Sequence, residues 1–183
     1  MGKEIKGIVV PVVTPFHRDE SLNEDGLRRI VNYLIESGVH GLFPAGSQGE
    51  QFSLSTAERK RVMDIVIEEA NGRVFVMPGT GAVTTRESVE LTQYAERAGA
   101  DAVSVITPYF IKPTDAELVA HYTQIAQSVS IPVLAYNNPD RTGLPLSPAV
   151  AAQVAEAAPN FCGVKDSSGD LSNALAYMEQ TPP

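Results

Sequence analysis

An α/β fold assembled from repeated strand–helix units is what this sequence predicts, and three observations carry the prediction. Six apolar runs recur along the chain at intervals of about thirty residues. Helical patterns with their own start and stop signals lie between them. Polar residues crowd the carboxyl ends of the runs. Alternation of this kind implies parallel strands joined by right-handed crossovers through helices.

The apolar runs read as buried parallel strands are Gly7–Thr14, Val39–Ala45, Val74–Pro78, Ala102–Pro108, Val133–Asn137 and Cys162–Lys165. Ser55-Thr-Ala-Glu58 and Thr114-Asp-Ala-Glu117 each fit a capping box, in which a hydroxyl accepts from the helix while Glu reaches back. Ser147-Pro148 sets a cap before a proline suited to the first helical position. Gly38, Gly72 and Gly99 follow helical stretches, where a left-handed residue ends a helix without a Cβ penalty.

Two architectures fit this alternation. A doubly wound open sheet is complete with five or six strands, whereas a (β/α)8 barrel needs eight strands and about 250 residues. The length of 183 residues favours the open sheet. The glycines do not: Gly79-Thr-Gly81 lacks the third glycine of a dinucleotide fingerprint, and no Gly-Lys-Ser/Thr phosphate loop occurs. Polar strand ends suit a barrel mouth. At this point both stay open: an open sheet, or a partial barrel of about six of the eight β/α units, in either case one domain over residues 1–183. In a barrel, strands seven and eight are expected to be missing and the first and sixth strands to present open edges.

Composition narrows the function. Hydrophobic residues at 43% and charged residues at 20% are a globular profile. A net charge of −8 argues against nucleic acid or an anionic membrane as partner, because both require clustered Lys and Arg. The start, Met1–Lys6, carries no signal-peptide pattern, and no run approaches the roughly 20 apolar residues of a membrane span. A cytoplasmic location is expected. The single Cys162 has no intramolecular disulfide partner and reads as a small buried apolar residue. His17, His40 and His121 share no metal-ligand spacing, and no Gly-x-Ser-x-Gly elbow is present.

Lys165 is the first candidate for chemistry. It sits at the tip of an apolar strand, where desolvation favours the neutral amine that an imine-forming lysine needs. Snorkelling into water, or pairing with Asp166, is the structural alternative. Tyr136 ends the fifth strand, and a phenol beside such a lysine can shuttle protons to a carbinolamine oxygen; core packing is the alternative. Asn137, Asn138 and Pro139 read as turn formers. Gly46-Ser-Gln-Gly-Glu50 follows the second strand. Its glycines let backbone N–H groups approach a carboxylate and Ser47 adds a hydroxyl, although a tight βα turn explains it equally well. Arg141 can clamp a second carboxylate, or be a solvated loop residue.

Taken together these segments resemble the dihydrodipicolinate synthase / N-acetylneuraminate lyase family. The likeness runs in order through Val10-Pro-Val-Val-Thr-Pro-Phe16, Gly46-Ser-Gln-Gly-Glu50, Thr107-Pro-Tyr109, Tyr136-Asn-Asn-Pro139, Arg141-Thr-Gly143 and Gly163-Val-Lys-Asp166. The resemblance implies a TIM barrel in a homo-oligomer, performing class I aldol chemistry on pyruvate and an aldehyde such as aspartate semialdehyde. It implies no metal and no cofactor beyond the imine of Lys165 with pyruvate. Within it, Lys165 looks like the imine-forming lysine and Tyr136 like the catalytic phenol. Ser47 joins that set and, with Gly46 and Gln48, falls where the family holds the pyruvate carboxylate; Arg141 falls where the synthase branch binds its aldehyde's carboxylate. Two positions depart from the synthase pattern: Gln48 follows Ser47 where paired threonines are usual, and Phe110 replaces the second of paired tyrosines. N-acetylneuraminate lyase or 2-keto-3-deoxy sugar acid aldolase activity, and a non-catalytic assembling fragment, are the alternatives.

Overall fold

The structure, a computed structural model, describes residues 4–181. The expectation about the amino-terminal start therefore falls partly on Met1–Lys3, outside the described residues. The chain divides into two compact units, Met1–Gly79 with Tyr94–Val103 and Thr80–Gln93 with Ser104–Pro183.

In the first unit the order is β1 (Val9–Pro11), α1 (Glu24–Glu36), β2 (Gly41–Phe43), a 3-10 turn (Ser47–Gly49), α2 (Thr56–Ala70) and β3 (Phe75–Val76). The strands form one sheet in the order β1-β2-β3, with parallel pairing throughout. α3 (Thr85–Ala98) follows. The second unit carries a three-stranded sheet in the order β4-β5-β6, from β4 (Val103–Ile106), β5 (Val133–Asn137) and β6 (Phe161–Asp166). Its helices are α4 (Asp115–Gln127), the short α5 (Pro139–Thr142), α6 (Pro148–Ala157) and α7 (Leu171–Gln180).

All six strands fall within or across the predicted apolar runs, and four are shorter than those runs. Pro11, Pro44, Pro78 and Pro108 sit at or just beyond the carboxyl ends of β1 to β4. Proline has no N–H to give, yet the backbone bonds run past two of them, the Val12 amide donating to the Phe43 carbonyl and the Gly79 amide to the Pro44 carbonyl. The helix starts follow the sequence signals. Ser55 and Thr114 both form complete capping boxes, with Glu58 and Glu117, and Ser147 accepts from the Val150 amide. Gly38, Gly72 and Gly99 all take positive φ. No described helix is long and apolar enough to cross a membrane.

Each unit has its own packed interior. In the first, Val31 of α1 and Val62, Met63, Ile65 and Val66 of α2 are fully buried, as is Leu42 of β2. In the second, Leu118, Tyr122 and Ile125 of α4 lie with Val133, Ala135, Val150 and Val154 at no more than 1% exposure. The second unit also buries His121, whose Nδ1 lies 2.8 Å from Thr85 Oγ1. Burial pushes its imidazole down to about 4, so the ring is neutral at ordinary pH.

Cys162 differs from expectation: it is exposed, not a buried apolar residue. The pairing of β6 with β5 explains why. Val133 pairs with Phe161 and Leu134 with Gly163, so the register skips Cys162 as the extra residue of a bulge.

Candidate active site

That skipped residue sets the geometry of the second unit's strand ends. Beyond it, Ala135 pairs with Val164, Tyr136 with Lys165 and Asn137 with Asp166. Without the skip, Val164 would stand beside Tyr136 and Lys165 beside Asn137. A one-residue slip moves every following side chain to the opposite face. The bulge therefore brings Lys165 onto the face that carries Tyr136. Its Nζ stands 3.4 Å from the centre of the Tyr136 ring. It also lies 3.2 Å from Ser167 Oγ. Tyr136 is 5% exposed, whereas Lys165 is half-buried.

The opposite face is occupied by the next pair. Asn137 Nδ2 donates to Asp166 Oδ1 at 2.8 Å, and Asn137 Oδ1 accepts from the Leu146 amide at 2.9 Å. Burial alone would raise the Asp166 carboxyl, but hydrogen bonds from Ser168 and Asn137 outweigh it and hold the carboxyl below its ordinary range. Asp166 is thus tied to Asn137 and Ser168, on the face away from the Lys165–Tyr136 contact.

Asn137 and Asn138 are not simple turn formers. Both are buried, and Asn138 Nδ2 donates to Tyr136 Oη at 2.8 Å. Nothing in the sequence distinguishes this amide from a turn asparagine. Thr107 supports the same corner: its amide donates to the Tyr136 carbonyl, and its hydroxyl lies 3.0 Å from Thr142 Oγ1. Arg141 is exposed on α5 in the same unit. Phe110 is 95% exposed with φ of 76°.

Gly46, Ser47 and Gln48 belong to the first unit. There the Gly46–Glu50 segment forms a 3-10 turn in which Gly46 and Gly49 are buried, Ser47 half-buried and Gln48 exposed. The amides of Gly49, Glu50 and Gln51 are engaged within the turn, on the carbonyls of Gly46 and Ser47. Glu50 takes φ of 54° at the end of this turn and not a place at the start of α2. Three neighbours brace the loop. Thr14 Oγ1 donates to the Gly49 carbonyl at 2.7 Å. Arg59, 3% exposed, donates to Gln51 Oε1 at 3.2 Å and to the Gly79 carbonyl at 3.1 Å. A Cβ on Gly79 would lie 2.3 Å from the Ala45 carbonyl oxygen, so the end of β3 touches the loop backbone directly. Arg59 is not distinguishable by sequence, because a buried arginine in a helix looks like any other charged helical residue.

Six β/α units with their polar residues gathered at strand ends define a protein of the TIM-barrel class, with six of the eight units present and the sheet not closed. The chain belongs to the dihydrodipicolinate synthetase family, which its sequence matches over residues 4–183. It is 46% identical over its whole length to a 4-hydroxy-tetrahydrodipicolinate synthase of Methanopyrus kandleri, covering 61% of that protein. It is 42% identical over 98% of its length to the one from Cellvibrio japonicus, again covering 61%. Among solved structures it superposes on YagE of E. coli K12, a prophage protein of the family in complex with pyruvate, with a TM-score of 0.93 and 38% identity. That match covers 97% of this chain and 59% of the other. An Acinetobacter baumannii dihydrodipicolinate synthase complexed with pyruvate gives a TM-score of 0.92 at 40% identity, covering 96% of this chain and 60% of the other. The chain thus spans about 60% of the length of the relatives it matches. The family comprises class I lyases that act on pyruvate through a Schiff base, without a cofactor.

Proposed function

We propose that this chain is a pyruvate-dependent class I aldolase of the 4-hydroxy-tetrahydrodipicolinate synthase type, with Lys165 as its nucleophile. One observation carries the reading: the Lys165 amine stands 3.4 Å over the ring of Tyr136, on adjacent parallel strands of a chain whose relatives bind pyruvate. The uncharged amine attacks C2 of pyruvate and the ketone oxygen takes up a proton, giving a carbinolamine. The Tyr136 phenol then supplies a proton to the carbinolamine hydroxyl, water leaves, and the C=N bond forms. Loss of a C3 proton gives an enamine that forms the new carbon–carbon bond with an aldehyde, whose oxygen is protonated in turn. No metal or organic cofactor takes part in this scheme.

In the same reading Ser47 contributes its hydroxyl. With Gly46 and Gln48 it offers the opening amides of the 3-10 turn to the pyruvate carboxylate, since the later amides are already engaged. Arg141, exposed on α5, takes the carboxylate of an aldehyde such as aspartate semialdehyde. Homo-oligomer formation is supported by Phe110 and Ile111, an apolar pair 95% and 68% exposed in one loop. A cytoplasmic location accords with this chemistry. Gln48 and Phe110 favour a second reading, in which the same imine serves a different aldehyde, because neither offers the hydroxyl found in the synthase branch.

Borohydride reduction of the pyruvate-treated chain tests the proposal. Peptide mapping should find one reduced pyruvyl group on Lys165 and none after Lys165→Met. An adduct on another lysine, or none, contradicts it.

A further inference from the structure

Asn138 occupies the residue before α5, a position where asparagine ordinarily accepts from the amides of the helix it precedes. Here its side chain makes no capping bond. The backbone carbonyl of Asn138 instead accepts from the amides of Arg141 and Thr142 and from the Thr142 hydroxyl. Asn138 is 9% exposed, and its Nδ2 lies 2.8 Å from Tyr136 Oη. The buried amide thus meets the phenol and not the start of α5.

The chemistry of that contact is directional. An amide N–H donates and cannot accept, so Tyr136 Oη is the acceptor and its own proton must point elsewhere. A donor to the phenol oxygen also stabilises the phenolate that remains once the proton has been delivered. We propose that Asn138 is a positioning residue for Tyr136, fixing the phenol as a proton donor to the intermediate on Lys165 and stabilising the phenolate left behind. The proposal rests on the aldolase reading above. No bond in Asn138 is made or broken; the proton passes from Tyr136 Oη to the departing hydroxyl, which leaves as water.

The test measures the rate of borohydride trapping of pyruvate on Lys165 in the full chain, as a function of pyruvate concentration and pH. Asn138→Val should slow trapping about tenfold, a modest share of what a positioned acid supplies. The half-saturating pyruvate concentration should stay the same, and the alkaline fall-off should move to higher pH. Asn138→Asp should be slower still, because a carboxylate beside the phenol accepts its proton and turns it away from the intermediate. Against Tyr136→Phe, Asn138→Val should add nothing, since the two act as one unit. If Asn138→Val does not fold, Asn138→Ser, too short to reach the phenol, serves in its place. Absence of an adduct in the unaltered chain overturns the aldolase reading and this inference with it. An adduct whose rate and pH profile are indifferent to position 138 overturns this inference alone.

Discussion

The loop after β2 and the paired ends of β5 and β6 hold polar groups at strand ends by opposite means. In the first unit the loop is fixed through its backbone. Gly79 lies against the Ala45 carbonyl, Ala45 itself takes φ of 52°, and Thr14 and Arg59 bind carbonyls and Gln51. In the second unit the backbone contributes a register, and side chains do the rest: Lys165 over Tyr136, Asn138 on the phenol, Asn137 on Asp166. A region fixed by backbone contact should break when one atom is added. One fixed by register should break when one residue is inserted.

The largest expected effect lies in the second unit. Inserting one alanine between Gly163 and Val164 adds a residue beyond the bulge and sets Val164, not Lys165, beside Tyr136. Pyruvate trapping on Lys165 should be lost, while Cys162→Ser, which changes an exposed side chain, should alter stability by no more than about 0.5 kcal/mol. Quantitative peptide mapping separates the two. In the first unit Gly79→Ala should cost about 3 kcal/mol, because the added Cβ meets backbone that cannot retreat as a side-chain tip would. Denaturant midpoints measure that loss.

Acid should separate the units as well. Each buries one basic side chain, but Arg59 keeps its charge at every accessible pH whereas His121 is folded as the neutral ring. The folded His121 value of about 4 lies below the ordinary 6.5, so the unfolded chain binds the proton more readily. Stability from this group is complete above pH 6.5 and declines as pH falls towards 4, by about 3 kcal/mol in all. His121→Leu should flatten that part of the stability–pH curve. The smallest effects are shared: Ser55→Ala in the first unit and Thr114→Ala in the second should each cost about 1 kcal/mol, since both remove a complete capping box.

The sequence made the repeat legible because strand and helix periods, caps and helix-ending glycines are local properties. Strand ends are legible only to within a few residues, since the partner strand decides where a ladder stops. Lys165 and Tyr136 were recognisable as strand-end residues, but their shared face depends on a bulge that leaves no mark in the sequence. Cys162 was misread for the same reason: an apolar run gives no sign of which residue the register omits. Asn138 reads as a turn former and Arg59 as an ordinary helical charge because their partners lie in three-dimensional space, at a phenol and at the Gly79 carbonyl, not at helical or strand spacing.

A crystal structure of this chain grown with pyruvate tests the account most directly. Continuous density from Lys165 Nζ to C2 of the ligand, with the Tyr136 hydroxyl facing the new bond and still held by Asn138, is the result it predicts. Pyruvate bound without a covalent link, or joined to any other amine, would contradict it.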